Sequence, residues 1–165
     1  PTSIRIVSLQ AVPEDYNLHR NIKSKSYIYL IYHHQEISPF LGRYVWHEKR
    51  FFTQEQWNSI FICFQGVKDF RVFAKEPYRY DSTVCHLEKI EAVSLPEIPA
   101  TVLFFQANRF LYNMIRRIIG FSFLMLLRQV RVPDTFEELI DEYKKWTTQR
   151  APANGLYLYR THLSD

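Results

Sequence analysis

Glycine and cysteine are both scarce in this chain of 165 residues, which has four glycines and two cysteines. So few glycines argue against a protein that wraps a nucleotide phosphate in a glycine-rich loop. Cys63 and Cys85 form no CxxC pair and have no histidine at ligand spacing, so neither cysteine is expected to bind a metal. We expect two reduced, buried thiols of an intracellular protein, with cytoplasm, nucleus and mitochondrion left open.

Long apolar runs and the common catalytic signatures are missing as well. The apolar stretch 118–127 has about half of the roughly 20 residues that a bilayer requires, and Arg116, Arg117 and Arg128 flank it. It therefore predicts a core helix and no membrane partner. The sequence also has no Ser-His-Asp order, no HExxH and no phosphate-binding loop, so it matches none of these enzyme classes.

Apolar and aromatic residues, by contrast, are plentiful. Hydrophobic residues make up 47% of the chain and aromatic residues 16%, which is typical of a globular protein and not of a disordered one. The length fits one domain, residues 1–165, with a substantial core. Lys and Arg together number 21 against 17 Asp and Glu, and the isoelectric point is about 9.1. This mild excess of positive charge is compatible with a polyanionic partner.

The hydrophobic pattern predicts an α+β fold, in which helices pack on one face of a largely antiparallel sheet. Alternating or β-branched runs predict five strands, at residues 3–12, 26–33, 82–93, 100–107 and 156–163. Helical spacing predicts three helices: one that begins at Thr53 with a capping box and ends at Gly66, one at 109–131, and one at 135–146 capped by Asp134. Residues 69–75 are expected to be a short exposed connection.

Two adjacent arginines lie within an almost wholly apolar segment, NRFLYNMIRRIIG, at residues 108–120. Arg116 has Tyr112, Ile119 and Gly120 one turn away, so it is expected to point inward. A buried arginine needs an anionic partner, since burial of an unpaired charge is costly. From the pattern alone, an arginine that extends to solvent or stacks on a tyrosine remains an alternative.

Tyr27 and Tyr29 lie two residues apart on a predicted strand and therefore share one face, with Lys23 and Lys25 just before them. Aromatic rings beside cations can stack an unpaired base while the cations hold phosphate. The alternative is that both tyrosines belong to the core. Asp69 has basic residues close on either side and is interpreted as a structural acid in a loop.

Four segments, in order, resemble motifs of the TruA-type tRNA pseudouridine synthases. The matching segments are Tyr16-Asn17 followed by Lys25-Ser26-Tyr27-Ile28-Tyr29, then GVKDFRVF at 66–73, NRFLYNMIRRIIG at 108–120 and APANGLYL at 151–158. The resemblance covers about 140 residues and implies the fold of the C-terminal domain of these enzymes.

The resemblance also implies chemistry. Tyr27 would pack on the target uridine, and Arg116 would pair with the nucleophilic aspartate, which reverses the preference for a solvent-facing arginine. Lys25, with Lys23 and Tyr29 beside it, would contact RNA. The implied reaction uses no cofactor and no metal: the aspartate helps to detach uracil from its ribose, the base turns, and C5 rejoins C1′. Arg116 and Tyr27 are accordingly expected on one wall of a cleft.

Three positions depart from the family pattern. The aspartate motif R-T-D-x-G-V-H-A does not occur in these 165 residues, and Arg79-Tyr80-Asp81 lies in the wrong place to replace it. His19 and Cys85 stand where the family has basic residues. The chain is thus expected to be inactive as given and to be part of a synthase, for which the start at Pro1 without a methionine is a further indication.

Two other functions remain open at this stage. The first is an inactive homologue that binds RNA or helps to assemble a ribonucleoprotein. The second is a protein-interaction domain that docks a partner through its aromatic surface. A homodimer or a larger ribonucleoprotein is open in either case. A groove that places basic residues beside Tyr27 would favour RNA; the residues concerned are Lys23, Lys25, Arg43, Lys49 and Arg50.

Overall fold

The computed structural model describes residues 4–18, 20–146 and 150–164, and it has the predicted α+β architecture. Six strands form one sheet: β1 Ile22–Tyr32, β2 Trp46–His47, β3 Gly66–Asp69, β4 Val84–Leu95, β5 Ala100–Ala107 and β6 Leu156–Leu163. Three α-helices accompany it: α1 Gln54–Phe61, α2 Met114–Arg128 and α3 Phe136–Lys144. Short 3-10 turns lie at Leu41–Arg43, Ile62–Phe64, Arg71–Phe73, Pro77–Arg79 and Ala153–Gly155.

The sheet is built around β1 and β5, its two central strands. Its order is β2-β1-β5-β4-β3, and β6 pairs with β1 on the side where β2 also lies. All pairs are antiparallel except the short β1–β2 pair. Tyr27 lies opposite Phe105 and Tyr29 opposite Leu103, so these four side chains share the face that carries the core.

The core fills the space between that face and the helices. Phe61 of α1 contacts Phe105 of β5 edge to face, with ring centroids 5.8 Å apart. Phe121 of α2 contacts Tyr143 of α3 at 5.2 Å, which joins the second and third helices. Residues 118–127 are therefore largely buried inside the protein, as the pattern predicted. No helix in the described part of the chain is long and apolar enough to cross a membrane.

The capping box predicted for α1 is confirmed. The Thr53 hydroxyl accepts a hydrogen bond from the Gln56 backbone N–H, and the Gln56 side chain accepts one from the Thr53 N–H at 2.8 Å. Trp57, Ile60 and Phe61 form the buried stripe. The helix is extended by a 3-10 turn, and the backbone then reverses at Gly66, whose φ of 97° favours glycine.

The strand predicted for residues 3–12 is wrong where the structure describes it. Residues 4–12 form no strand, and Ile6, Val7 and Leu9 are 81%, 89% and 94% exposed. A β-branched run alone cannot form a strand, because its backbone N–H and C=O groups need a neighbouring strand to bind. Ser3 lies outside the described residues.

Two predicted helix starts need correction. The second helix begins at Met114 and not at Arg109, because Asn113 has a left-handed backbone (φ 64°) that interrupts the turn before it. The third helix is capped by Thr135 and not by Asp134; the Thr135 hydroxyl accepts from the Glu138 N–H at 3.2 Å.

The connection at 69–75 is also different from the prediction, because part of it is buried. Phe70 and Phe73 are both 0% exposed and pack against Phe136 of α3. Both cysteines are buried free thiols, as expected, and Cys85 is on the inward face of β4. A bulge between Leu87 and Lys89 shifts the inward set of that strand, so the predicted alternation drifts along it.

Candidate functional site

A cavity of about 430 Å³ opens where β1, the start of α2 and the residues before β6 meet. Tyr27 and Arg116 both line it, so the two side chains that the sequence singled out border one space. The other lining residues are Tyr80, Phe110, Leu111, Tyr112, Asn113, Met114, Ile115, Ala153 and Leu156. Apart from Arg116 none of the described lining residues carries a charge, so among them the cavity combines aromatic walls with one cation. Such a cavity can bind a flat, partly polar ring that carries a negative charge or lies beside one.

Tyr27 forms part of the wall that β1 contributes. Its ring contacts Phe110 edge to face, with centroids 5.1 Å apart and planes at 82°. Burial raises the pKa of the Tyr27 phenol, so the ring stays neutral at physiological pH. The side chain is only partly buried, which leaves it accessible from the cavity. It can therefore pack against a bound base, although its chemical role stays a prediction.

The Arg116 side chain is held by a hydrogen bond at Nε, and its charge has no carboxylate partner in the described part of the chain. Its Nε donates to the carbonyl oxygen of Ala151 at 2.7 Å, and the Ala151 N–H donates back to the Arg116 carbonyl oxygen at 2.9 Å. Within the described residues no carboxylate forms a salt bridge with Arg116. A partly buried guanidinium of this kind can take an anionic partner from outside the chain.

Arg117, the neighbouring arginine, has a structural role. Its Nη1 donates to the carbonyl oxygen of Ala74 at 2.8 Å and more weakly to that of Val72 at 3.4 Å. These bonds tie α2 to the 3-10 turn after β3. The expectation that Arg116, rather than Arg117, faces the site matches this geometry, because only Arg116 lines the cavity.

Tyr29 does not have the RNA-contacting position that the sequence predicted. The side chain is 0% exposed, and its hydroxyl donates to the Pro152 carbonyl oxygen at 2.8 Å. Burial raises its pKa, while the Arg116 charge acts in the opposite direction. Tyr29 shares a strand face with Tyr27, but the segment before β6 covers it, so its side chain is not open to a partner in this structure.

The predicted basic residues do not form one groove. Lys25 lines a second, smaller cavity of about 240 Å³ that shares Tyr27 and Phe110 with the first one, whereas Lys23 is exposed on β1. Arg50 lines a third cavity and forms a salt bridge with Glu48, with Nε 2.7 Å from Oε1. Of the five cations named above, only Lys25 borders a described cavity together with Tyr27.

Arg109 lies beside the candidate site, although the sequence pattern did not single it out. It lines the smaller cavity together with Lys25, and one of its terminal nitrogens donates to the Ser82 carbonyl oxygen. Neither Lys25 nor Arg109 forms a salt bridge within the described chain. The only sequence signal that could have identified Arg109 was its position two residues after the end of β5.

Tyr80 and Tyr112 were missed as well. The Tyr80 hydroxyl oxygen accepts a hydrogen bond from the Tyr112 backbone N–H at 2.8 Å, and both rings line the large cavity. They come from loops far apart in sequence, so only the fold brings them together. Asp69 is structural: its Oδ1 accepts from the Thr83 hydroxyl at 2.5 Å and from the Arg71 N–H at 2.9 Å. No three His, Cys, Asp or Glu side chains are grouped for a metal ion in the described ranges.

The chain is similar in sequence to one family of known proteins. Residues 60–162 match the family model described as tRNA pseudouridine synthase. The chain is 30% identical to the tRNA pseudouridine synthase A of Aquifex aeolicus over 164 residues, 99% of this chain and 66% of that protein. It is 29% identical to the Dictyoglomus thermophilum protein of the same name, over 97% of this chain and 64% of that protein. The chain thus spans a little under two thirds of the length of these relatives.

Proposed function

We propose, from the premise that this chain belongs to the tRNA pseudouridine synthase family, that the whole protein containing it converts uridine to pseudouridine in tRNA or another structured RNA. The observation that carries the proposal is that one cavity is lined by both Tyr27 and Arg116, and that among the described residues no carboxylate pairs with Arg116. The family resemblance alone would allow a degenerate site, but a scaffold has no need of an unpaired, partly buried arginine.

The conversion is an isomerisation, so no atom is gained or lost. The N1–C1′ bond of uridine breaks, the uracil turns, and a C5–C1′ bond forms while C5 loses a proton and N1 gains one. A carboxylate that assists this step must stay ionised and in place. Arg116 would hold it so, because an adjacent guanidinium stabilises the ionised form.

Tyr27 would act on the base rather than on the sugar. Its neutral ring contacts Phe110 edge to face and lines the cavity. Stacking of a base on such a ring stabilises it by about 1–3 kcal/mol in nucleic-acid complexes. The aspartate itself would come from a part of the protein outside these 165 residues, since the motif that contains it in the family is not among them.

The activity test uses the whole protein and an unmodified tRNA transcript, with pseudouridine mapped nucleotide by nucleotide. We expect pseudouridine at one or a few uridines of the transcript and none without the protein. If the transcript binds but no uridine is converted, the inactive RNA-associated homologue is favoured. If the protein does not bind RNA at all, a protein-interaction domain is favoured, and the proposal fails.

The smaller cavity predicts where the RNA backbone lies, because Lys25 and Arg109 would each neutralise a phosphate beside the stacked base. Changing either residue to glutamine is expected to reduce the slope of log K against log salt by about 0.7–0.9. Fluorescence anisotropy with a labelled transcript at several KCl concentrations measures this slope.

A matched control for these variants is Lys144→Gln on α3. Lys144 already pairs with Asp141, with Nζ 3.0 Å from Oδ1, and it lines neither cavity. We expect its slope to equal that of the unaltered protein. Equal slopes for all three variants would remove Lys25 and Arg109 from the interface without affecting the assignment of Tyr27 and Arg116.

A further inference from the structure

We infer that Tyr29 is a positioning residue, which holds the segment Ala151–Gly155 in place and thereby fixes the direction of the Arg116 guanidinium. This inference rests on the proposed function for its catalytic consequence, but the contacts that carry it are independent of any reaction. The chain of contacts runs from the Tyr29 hydroxyl to Pro152, to Ala151 and then to Arg116.

The last link is the one between Ala151 and Arg116. Two hydrogen bonds in opposite directions join these residues, one through the Arg116 side chain at 2.7 Å and one through its backbone at 2.9 Å. A guanidinium is planar, so a hydrogen bond donated through Nε restricts the orientation of that plane and, with it, the positions of the two terminal nitrogens. The position of Ala151 therefore sets the direction in which Arg116 presents its remaining donors.

The first link anchors the segment that contains Ala151. The Tyr29 hydroxyl donates to Pro152, the next residue in the chain, at 2.8 Å. Three residues later the backbone of Gly155 lies directly against the same ring, since a Cβ placed there would be 2.8 Å from the Tyr29 Cζ. Leu156, the first residue of β6, is paired with Tyr29 in the sheet.

A further anchor holds the segment from outside the sheet. The Asn154 side-chain amide donates to the carbonyl oxygens of Gly42 at 2.9 Å and Val45 at 2.5 Å. Tyr29 and Asn154 therefore hold the segment at residues 152 and 154. The Tyr29 bond is to Pro152, the residue next to Ala151, whereas Asn154 is three residues from Ala151. Loss of the Tyr29 bond should therefore change the position of Arg116 more than loss of the Asn154 bonds.

Tyr29 itself is not a catalytic residue. It is completely buried and does not line the cavity of Tyr27 and Arg116. Its ring is fixed on the other side by an edge-to-face contact with Trp46, at 6.1 Å between centroids. Burial keeps the phenol protonated, so the hydroxyl remains a donor throughout the physiological pH range. Its influence on the reaction can only pass through the segment that it holds.

The test is Tyr29→Phe, which removes the donor and keeps the ring. The first readout is the Nε–H signal of Arg116 in NMR spectra of this chain, assigned from its absence in Arg116→Lys. We expect solvent exchange of that proton to become on the order of tenfold faster, because Ala151 is no longer held in one position. The second readout is the kinetics of the whole protein on its RNA. There kcat should fall by about 10- to 100-fold with KM unchanged, as a slight misplacement of a catalytic group produces.

Tyr157→Phe is the matched control. The Tyr157 hydroxyl also donates to a backbone carbonyl oxygen, that of Tyr44 at 2.5 Å, but Tyr157 does not touch the Ala151–Gly155 segment through it. We expect the Arg116 proton and kcat to be unchanged. Asn154→Ala serves as a second variant, with an effect in the same direction as Tyr29→Phe but smaller, and it keeps the test decisive if Tyr29→Phe folds poorly.

The outcomes separate this inference from the proposed function. Unchanged Arg116 exchange in Tyr29→Phe, or in Asn154→Ala where Tyr29→Phe folds poorly, would overturn the positioning role, whatever the activity. Faster exchange with unchanged kcat would show that Tyr29 holds Arg116 without any effect on the reaction, which overturns its role as a positioning residue. A whole protein that never converts uridine would defeat the proposed function alone, and the exchange measurement would still decide how Arg116 is held.

Discussion

Replacement of Arg116 by methionine in the whole protein is expected to lower kcat for uridine conversion by about 100- to 1,000-fold, the loss typical when one preorganised electrostatic partner is removed. Methionine has a similar length and keeps the apolar contacts of the side chain. It removes the charge and the bond from Nε to the Ala151 carbonyl oxygen. The folded structure should tolerate the change, because Arg116 forms no ion pair within the described residues that would be left half-complete.

Arg117→Met provides an internal control at the next position of the same helix. Arg117 binds two carbonyl oxygens of the turn after β3 and does not line the cavity. Loss of these bonds is expected to cost about 1–3 kcal/mol of folding free energy, because buried acceptors remain unpaired. Activity per folded molecule should be unchanged. Arg116→Met should therefore lower kcat far more than the loss of its one bond to the Ala151 carbonyl oxygen lowers stability, whereas Arg117→Met should lower stability and leave kcat unchanged.

Single-turnover kinetics on a tRNA transcript and thermal unfolding of the same preparations measure the two effects. The assignment is wrong if Arg116→Met retains full activity, or if both variants lose activity only in proportion to their stability. Arg116→Lys refines the interpretation. Lysine keeps the charge but cannot keep both the Nε bond and the fork of donors, so an intermediate activity is expected.

The strands that the sequence predicted best are those in which local pattern and tertiary environment agree. Residues 100–107 and 156–163 have strand bounds identical to the prediction, and residues 26–33 lie almost wholly within β1. β-branched and aromatic side chains alternate there, and neighbouring strands are available on both sides of β1. For residues 4–12 the same composition produced no strand, because strand formation depends on a partner and not on composition alone.

Backbone conformation explains why the second helix begins later than the sequence predicted. The apolar spacing from residue 109 onward is continuous, so periodicity alone extends the second helix too far toward its N-terminus. Asn113 adopts a left-handed conformation, which asparagine tolerates better than most residues, and this places Phe110 and Tyr112 on a turn above the cavity. A helix through these residues would have removed part of the site.

Side-chain alternation and sequence motifs predicted only part of the site. Alternation places Tyr27 and Tyr29 on the same face, but it does not show that a segment more than 120 residues later covers only Tyr29. Likewise, Arg109 and Tyr80 approach the site through contacts between distant segments. Sequence motifs identified Tyr27 and Arg116, which line the cavity, while the depth of each residue and the neighbours that hold it depend on the fold.

Gly155→Ala adds a single methyl group, the smallest change considered in this region. It is nevertheless expected to cause the largest loss of stability there. A Cβ at this position would lie 2.8 Å from Cζ of Tyr29 and 2.9 Å from the backbone oxygen of Leu30. The ring cannot move aside easily, because it is fully buried, and the Leu30 carbonyl belongs to the central strand β1. Overpacking of this kind costs about 1–3 kcal/mol, and we expect the upper part of that range.

Gly42→Ala is the control that separates overpacking from the general effect of replacing glycine. The nearest atom to a Cβ at Gly42 is Cδ1 of Ile37 at 3.8 Å, an ordinary van der Waals contact. This variant should be neutral or slightly more stable, since alanine reduces the freedom of the unfolded chain. Gly155→Ala, in contrast, should melt about 5–10 °C lower, given the usual 2–4 °C per kcal/mol for a chain of this size.

The two variants also differ in what they do to the site. To relieve the contact with Tyr29, the Ala151–Gly155 segment of Gly155→Ala must move away from β1, and Ala151 moves with it. The Arg116 Nε–H should then exchange faster, as in Tyr29→Phe, while Gly42→Ala leaves it unchanged. Equal melting temperatures for the two glycine variants would show that the segment yields without cost, and Tyr29 could then not be the residue that holds it.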